Sequence, residues 1–224
     1  MALLLLIGNK NYSSWSLRPW IAMKVAGISF AEQVISLDAA DFKARVGKVS
    51  ATGKVPVLVD GDIHVWESLA ILEYLGEKFP QAHLWPAEPA ARAHARAIAA
   101  EMHAGLTPLR RHYPMNVRRP VRRREPTPEA ADNVRRIDAM WTDCRRRFGG
   151  SGPFLFGAFS AADAMYAPVA SRLHTYAVDI GGEARAYMEA VMALPAWAEW
   201  YAAAVAEPWV LAEDEVDWPT VLPV

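Results

Sequence analysis

The chain has 224 residues, 53% of them hydrophobic and 22% charged, with a formal net charge of -1 and a single cysteine. That composition fits one large or two small globular domains with a real core, excludes a disordered chain or an internal disulfide framework, and gives no reason to expect nucleic acid. No apolar run approaches the ~20 residues of a membrane span, and Leu3 to Ile7 lacks the basic leader of a signal peptide, so a cytoplasmic, reducing compartment is expected.

From residue 1 to about 80, short apolar runs alternate with helical stretches. "LLLLIG" reads as a buried strand, "SLRPWIAMKVAGI" as a helix ended by Gly27, and "FAEQVISL" as a second strand. After a variable segment, "VPVLVDGDIHVW" gives two β-rich runs around Asp60-Gly61-Asp62, a hairpin signal. "ESLAILEYLGEKF" then repeats Leu69, Leu72 and Leu75 to Phe79 at helical spacing. The proline-bearing "FPQAHLWPAEP" marks a linker, placed at residues 81–90. Beyond it every segment reads as helix: 91–113, 128–148, 160–178 and 183–205. The expected organisation is an α/β domain over 1–80 in the order β-α-β then β-β-α, followed by an all-α domain over 91–224.

Several motifs fail on inspection. "GKVSATGKV" resembles a phosphate-binding loop, but Gly53 falls one position late and Val55 stands where a magnesium-binding hydroxyl belongs. "GGSGP" has proline where a nucleophile elbow needs glycine. His94, His103 and His112 are nine apart; on one helix that spacing turns neighbours by roughly 180° and sets the outer pair about 27 Å apart, so they form no metal site. Cys144 lies inside a helical pattern and reads as a packed residue. Residues 110 to 147 hold twelve of the 24 Lys+Arg against five acids, and a solvated helix face with a charged turn explains this better than an anion-binding face.

Three separated pieces of the first half survive as parts of a site for a small anionic peptide. In "GKVPVLV", Val55 precedes Pro56 at a strand entrance; a cis bend there would leave the Val55 backbone free to pair with an extended ligand, while a trans proline on an edge strand is the alternative. In "WESLAIL", Glu67 and Ser68 stand at a helix start, where free N–H groups receive a carboxylate and Glu67 can accept from an ammonium group. A plain helix cap would explain the same pair. In "SSWSLRPW", Ser13, Ser14 and Ser16 sit at the first helical turn, where a hydroxyl can cap free amides or hold a thiolate.

Together these segments resemble the cytosolic glutathione transferase family across essentially the whole chain, with the closest likeness of the first segment to the zeta class. "SSWSLRPWIAMKVAGI" looks like its serine-type active-site segment, "GKVPVLVDG" like its cis-proline strand and "ESLAILEYLGEKFP" like its γ-glutamyl-binding helix. "FSAADAMYAPV" looks like its helical capping box, with Ser160 as cap and Asp163 three residues on. The resemblance implies a thioredoxin-like first domain, glutathione as co-substrate without a metal, and a homodimer. It implies that Ser13, with Ser14 in reserve, stabilises the thiolate, that Val55 pairs with the cysteinyl backbone beside a cis Pro56, and that Glu67 and Ser68 hold the γ-glutamyl end. Lys43 and Lys54 become partners for the glycine carboxylate. A second-substrate pocket lined by Met102, Leu106, Arg110, Tyr113, Arg172 and Tyr176 is expected between the domains, its arginines favouring an anionic or electron-poor electrophile.

Two departures weigh against the zeta activity, maleylacetoacetate isomerisation: Trp15 stands where that class usually carries cysteine, and Thr175 where it carries an arginine. The expected activity is conjugation of the glutathione thiolate to a small hydrophobic electrophile. The alternatives are a glutathione-dependent isomerase and a non-catalytic interaction module of the same fold.

Overall fold

The computed structural model describes residues 3–150 and 152–216. Its first half is a βαβ unit followed by a hairpin and a helix: β1 (Leu3–Ile7), α1 (Ser14–Val25), β2 (Phe30–Val34), a short α2 (Phe42–Val46), β3 (Val57–Asp60), β4 (Ile63–Trp66) and α3 (Ser68–Lys78). The strands form one mixed sheet in the order β2-β1-β3-β4, with β1 parallel to β2 and antiparallel to β3, and β3 antiparallel to β4. Gly27 and Gly61 end α1 and turn the β3–β4 hairpin at φ of 66° and 61°, a backbone region that only glycine enters freely.

A 3₁₀ turn at Pro80–Ala82 leads to the helical half: α4 (Pro89–Ala104), α5 (Thr107–His112), α6 (Pro128–Phe148), α7 (Ala161–Thr175), α8 (Gly182–Met192) and α9 (Pro195–Val205). This is a thioredoxin-like domain followed by an all-α domain. The last eight residues of the all-α domain expected over 91–224 lie outside the described residues.

Three helical readings need correction. The segment 91–113 is two helices, because Leu106 takes a left-handed φ of 59° directly after Gly105 and turns the chain. The segment 183–205 is also two, broken before Pro195, whose ring disfavours the helical conformation in the residue ahead of it. The stretch left unassigned between β2 and β3 contains α2, which is too short for periodicity to reveal.

α1 decides how the two halves fit. Leu17, Trp20, Ile21, Ala22 and Met23 are completely buried, and so is the charged Arg18. The helix packs on the sheet side against β1 and α3 and on the other side against α7 and α9. A helix covered on both sides has no continuous solvated face, so its apolar residues fall all round it. The core is continuous across the junction, running from Leu5 and Ile7 through α1 and α3 to Ile98, Trp141, Tyr166 and Trp200. α7 opens on a capping box in which Ser160 is the cap and Asp163, wholly buried, accepts from Ser160 N–H at 2.8 Å and Leu155 N–H at 3.1 Å. The arginine-rich stretch is mostly solvated and paired: Arg136 bonds Glu101, and Arg146 and Arg147 both bond Asp143. Arg118 and Arg119 differ, being buried beneath the surface face expected of the whole stretch.

Candidate active site

The ends of three elements converge beside α1. Trp15 from its first turn, Thr52, Lys54, Val55 and Pro56 from the segment entering β3, and Glu67 from the turn into α3 line a cleft of about 260 Å³. The Val55–Pro56 peptide bond is cis, and Val55 lies just outside the β3 ladder, which begins at Val57. Glu67 holds φ at 68° and ψ at 122°, a sparsely populated conformation for a residue with a Cβ, of the kind that survives where surrounding structure enforces it at functional sites. Its turn delivers Ser68 to the first position of α3, whose unpaired N–H groups and dipole make a carboxylate-binding end.

Behind Ser68 stands Arg18. Its Nη1 donates to Ser68 Oγ at 3.2 Å, and the guanidinium carbon lies 4.0 Å from the centre of the Trp15 ring. Burial, then the nearby positive charges of Arg172 and Arg110, pull the Arg18 pKa down to about 9. Its Nε and Nη2 are buried with no hydrogen-bond partner among the described residues. A buried cation so poorly compensated is costly to keep, and a bound anion would relieve that cost.

The serines are arranged as a chain. Ser13 Oγ donates to Ser16 Oγ at 2.7 Å, and Ser16 Oγ accepts from Gly8 N–H at 3.0 Å. Ser13 and Ser14 are nearly buried at the opening of α1, and neither lines the cleft, whose α1 contribution is Trp15. Lys54 lines it, whereas Lys43 is exposed on α2 and outside the lining.

The expected second-substrate residues are arranged differently from the sequence reading. Met102 is packed in the core. The Tyr113 hydroxyl donates to the Arg124 carbonyl and the Tyr176 hydroxyl to the Pro114 carbonyl. Arg172 spends its Nε on the Tyr113 carbonyl and its Nη1 on the Pro168 carbonyl. All four are buried, Met102 among apolar side chains and the other three with their polar atoms bonded to main-chain carbonyls. Leu106 is buried at the α4–α5 break, and Arg110 remains near Trp15, its guanidinium 5.2 Å from the ring. Thr175 lines a separate hollow with Trp197 and Tyr201, away from the cleft.

His103 and Arg18, neither of them a site residue in the sequence reading, stand beside the cleft. His103 packs edge-on against Trp15 at 5.3 Å, and its Nε2 lies 3.6 Å from Glu67 Oε2. Burial holds its pKa below the ordinary value, opposed by Glu67 and assisted by Arg18 and Arg110. In the sequence the nine-residue histidine spacing raises only the question of a metal site, and no pattern marks Arg18 within α1. Among the described residues no group of three or more His, Cys, Asp or Glu could hold a metal.

Similarity to known proteins agrees with this geometry. Residues 12–78 match the family model for the glutathione S-transferase N-terminal domain, and residues 122–203 match that for the C-terminal domain. A probable maleylacetoacetate isomerase of Caenorhabditis elegans is 38% identical over 101 residues, covering 45% of this chain and 46% of that protein. A dichloromethane dehalogenase of Methylorubrum extorquens is 45% identical over 60 residues, 26% of this chain and 21% of that one. The matched stretches thus span less than half the length of these curated relatives. A glutathione transferase homolog from Burkholderia, solved with bound glutathione, superimposes with a TM-score of 0.65 at 22% identity over 91% of this chain and 98% of its own, a likeness of fold. With a family match on each side of the interdomain junction and the same two-domain fold, this chain is a member of the glutathione S-transferase family.

Proposed function

We propose that the protein binds glutathione in the cleft beside Trp15, ionises its thiol and transfers it to a small electrophile. The observation that carries this reading is the convergence of Val55, Lys54 and Glu67 in one cleft at the start of α1, with Ser68 and the buried Arg18 behind it. Each fits one part of the tripeptide. The Val55 main chain pairs with the cysteinyl residue, as one extended strand pairs with another. Glu67 accepts from the γ-glutamyl ammonium group, and the α3 N-terminus with Ser68 receives its carboxylate. Lys54 faces the glycine carboxylate.

The sulfur then lies at the opening of α1, beside Ser13 and Ser14. A hydroxyl donor and the free amides of a helix N-terminus favour the thiolate over the thiol. Lowering a thiol pKa from ~8.5 by about two units requires roughly 2.7 kcal/mol, within the range of a charge-assisted hydrogen bond and a helix end acting together. The thiolate attacks the electrophilic carbon, the new carbon–sulfur bond forms, and the leaving group departs with its electron pair. Trp15, His103 and Arg110 form the side from which the electrophile approaches.

Isomerisation, in which the same thiolate adds and is later expelled, is the second reading. The names of two relatives favour it, the probable maleylacetoacetate isomerases of Caenorhabditis elegans and Vibrio cholerae. A cytoplasmic homodimer accompanies both readings. The exposed Ile63 and Trp66 on the edge strand β4 support association, and no described helix is long and apolar enough to cross a membrane.

The test is calorimetric titration with glutathione of the wild-type protein and a Ser68→Ala variant, with the ultraviolet absorbance of the bound thiolate followed against pH. Micromolar to millimolar binding that weakens in the variant, with a thiol pKa well below that of free glutathione, is expected. Failure of the wild type to bind glutathione overturns the reading.

A further inference from the structure

The loop from Asn9 to Tyr12 carries the chain from β1 to Ser13, and its anchors lie in the helical half. Glu207, 8% exposed just after α9, accepts from Lys10 N–H at 2.6 Å through one carboxylate oxygen and from Asn11 N–H at 3.0 Å through the other. The indole N–H of Trp200 on α9 donates to the Lys10 carbonyl at 2.9 Å, and Val117 N–H donates to the Asn11 carbonyl at 3.2 Å. All four main-chain polar groups of Lys10 and Asn11 are therefore held by the second domain. Glu207 is itself fixed: Arg118 Nη1 donates to its carbonyl at 2.6 Å, while Nη2 donates to the Tyr12 hydroxyl at 2.9 Å and the Trp209 carbonyl at 2.7 Å.

A carboxylate spanning two adjacent N–H groups is a two-point clamp, and charge-assisted bonds of this kind are among the stronger ones in proteins. It grips the loop immediately before the residues that meet the sulfur. Ser13 N–H bonds the Asn9 carbonyl at 2.8 Å, so a shift of the loop moves the start of α1 with it. The remainder of α1 is held independently by Leu17, Trp20 and Ile21 in the core. Loss of the clamp thus frees the first turn without dismantling the helix.

We propose that Glu207 is a positioning residue for thiol activation, through which the helical domain holds the α1 opening at the distance that stabilises the glutathione thiolate. The proposal rests on the transferase reading above. Its physical content is that donors stabilise a charge effectively only when they are preorganised around it, so a released loop weakens the thiolate more than it weakens tripeptide binding.

The experiment compares wild type with Glu207→Ala and Glu207→Gln, the latter keeping one acceptor. Bound-thiolate absorbance against pH, the affinity for S-methylglutathione, which has no ionisable thiol, and hydrogen exchange across residues 8–16 are measured well below each melting temperature. In Glu207→Ala the bound thiol pKa should rise by about one unit, and turnover at neutral pH should fall about threefold as the thiolate fraction falls. Affinity for S-methylglutathione should change less than about threefold, exchange in the loop should accelerate, and Glu207→Gln should lie between.

An unchanged thiol pKa in Glu207→Ala, with only a lower melting temperature, overturns the proposal and leaves the transferase reading intact. Absence of glutathione binding by the wild type instead removes the transferase reading and with it the catalytic role. Unaltered loop exchange in Glu207→Ala overturns the clamp whatever the ligand result.

Discussion

Ser13 Oγ donates its proton to Ser16 Oγ at 2.7 Å, so the hydroxyl proposed to meet the glutathione sulfur is turned inward to a neighbour that already accepts from Gly8 N–H. To stabilise a thiolate the Ser13 proton must swing from Ser16 to the sulfur, a rotation about one bond that leaves Ser16 still bonded to Gly8. Ser13→Ala is expected to lower turnover about 10²-fold and raise the bound thiol pKa with little loss of stability. Ser16→Ala should behave in the opposite way, leaving the buried Gly8 N–H unpaired at a cost of about 1–3 kcal/mol in denaturant unfolding. If Ser14→Ala, and not Ser13→Ala, shifts the thiol titration, the role belongs to Ser14.

Arg18 and Ser68 should be coupled in glutathione binding. Arg18→Met removes a buried cation and fills most of its volume, so the melting temperature is expected to hold or rise. Glutathione affinity should nevertheless fall about tenfold, because the carboxylate loses both the charge behind it and the orientation of the Ser68 hydroxyl. Calorimetry on Arg18→Met, Ser68→Ala and the double variant should give an interaction energy of about 1 kcal/mol. Strict additivity would show that Arg18 acts without Ser68.

His103 gives a pH dependence of defined sign. Its folded pKa lies below its ordinary value because burial disfavours the imidazolium, so near pH 6 the unfolded chain binds more of that proton. Its stability contribution is complete above the ordinary histidine range and is lost as pH falls toward the depressed folded value. Thermal unfolding between pH 7 and pH 5 should therefore show a smaller loss of melting temperature in His103→Gln than in wild type. An identical slope would mean that His103 titrates as it does in the unfolded chain.

Cys144 should be inert in the native state. It is completely buried on α6, and burial pushes its thiol up to about 12. A disulfide reagent at pH 8 should label it only after denaturant is added. Fast labelling of the folded protein would make it a reactive thiol.

Much of this was legible because local chemistry recurs at short range. The three serines at the start of α1, the Val55–Pro56 step and the Glu67–Ser68 pair each announce themselves within a few residues, and their order along the chain carries the family resemblance. The breaks at Leu106 and Pro195 were not read because apolar periodicity continues across them. A left-handed residue and a proline redirect the backbone without changing the pattern of burial.

By itself the sequence determined the two-domain order, the strands and most helices, and which segments could meet a tripeptide. Periodicity, turn residues and helix starts are properties of neighbours along the chain. Only the tertiary structure decided that Met102, Tyr113, Arg172 and Tyr176 turn into the core, that Arg18 stands behind Ser68, and that Glu207 clamps Lys10 and Asn11 across nearly the whole chain. Each of those outcomes depends on which unsatisfied carbonyl, N–H group or buried charge comes within hydrogen-bonding distance once the domains pack, and sequence separation carries no record of that distance.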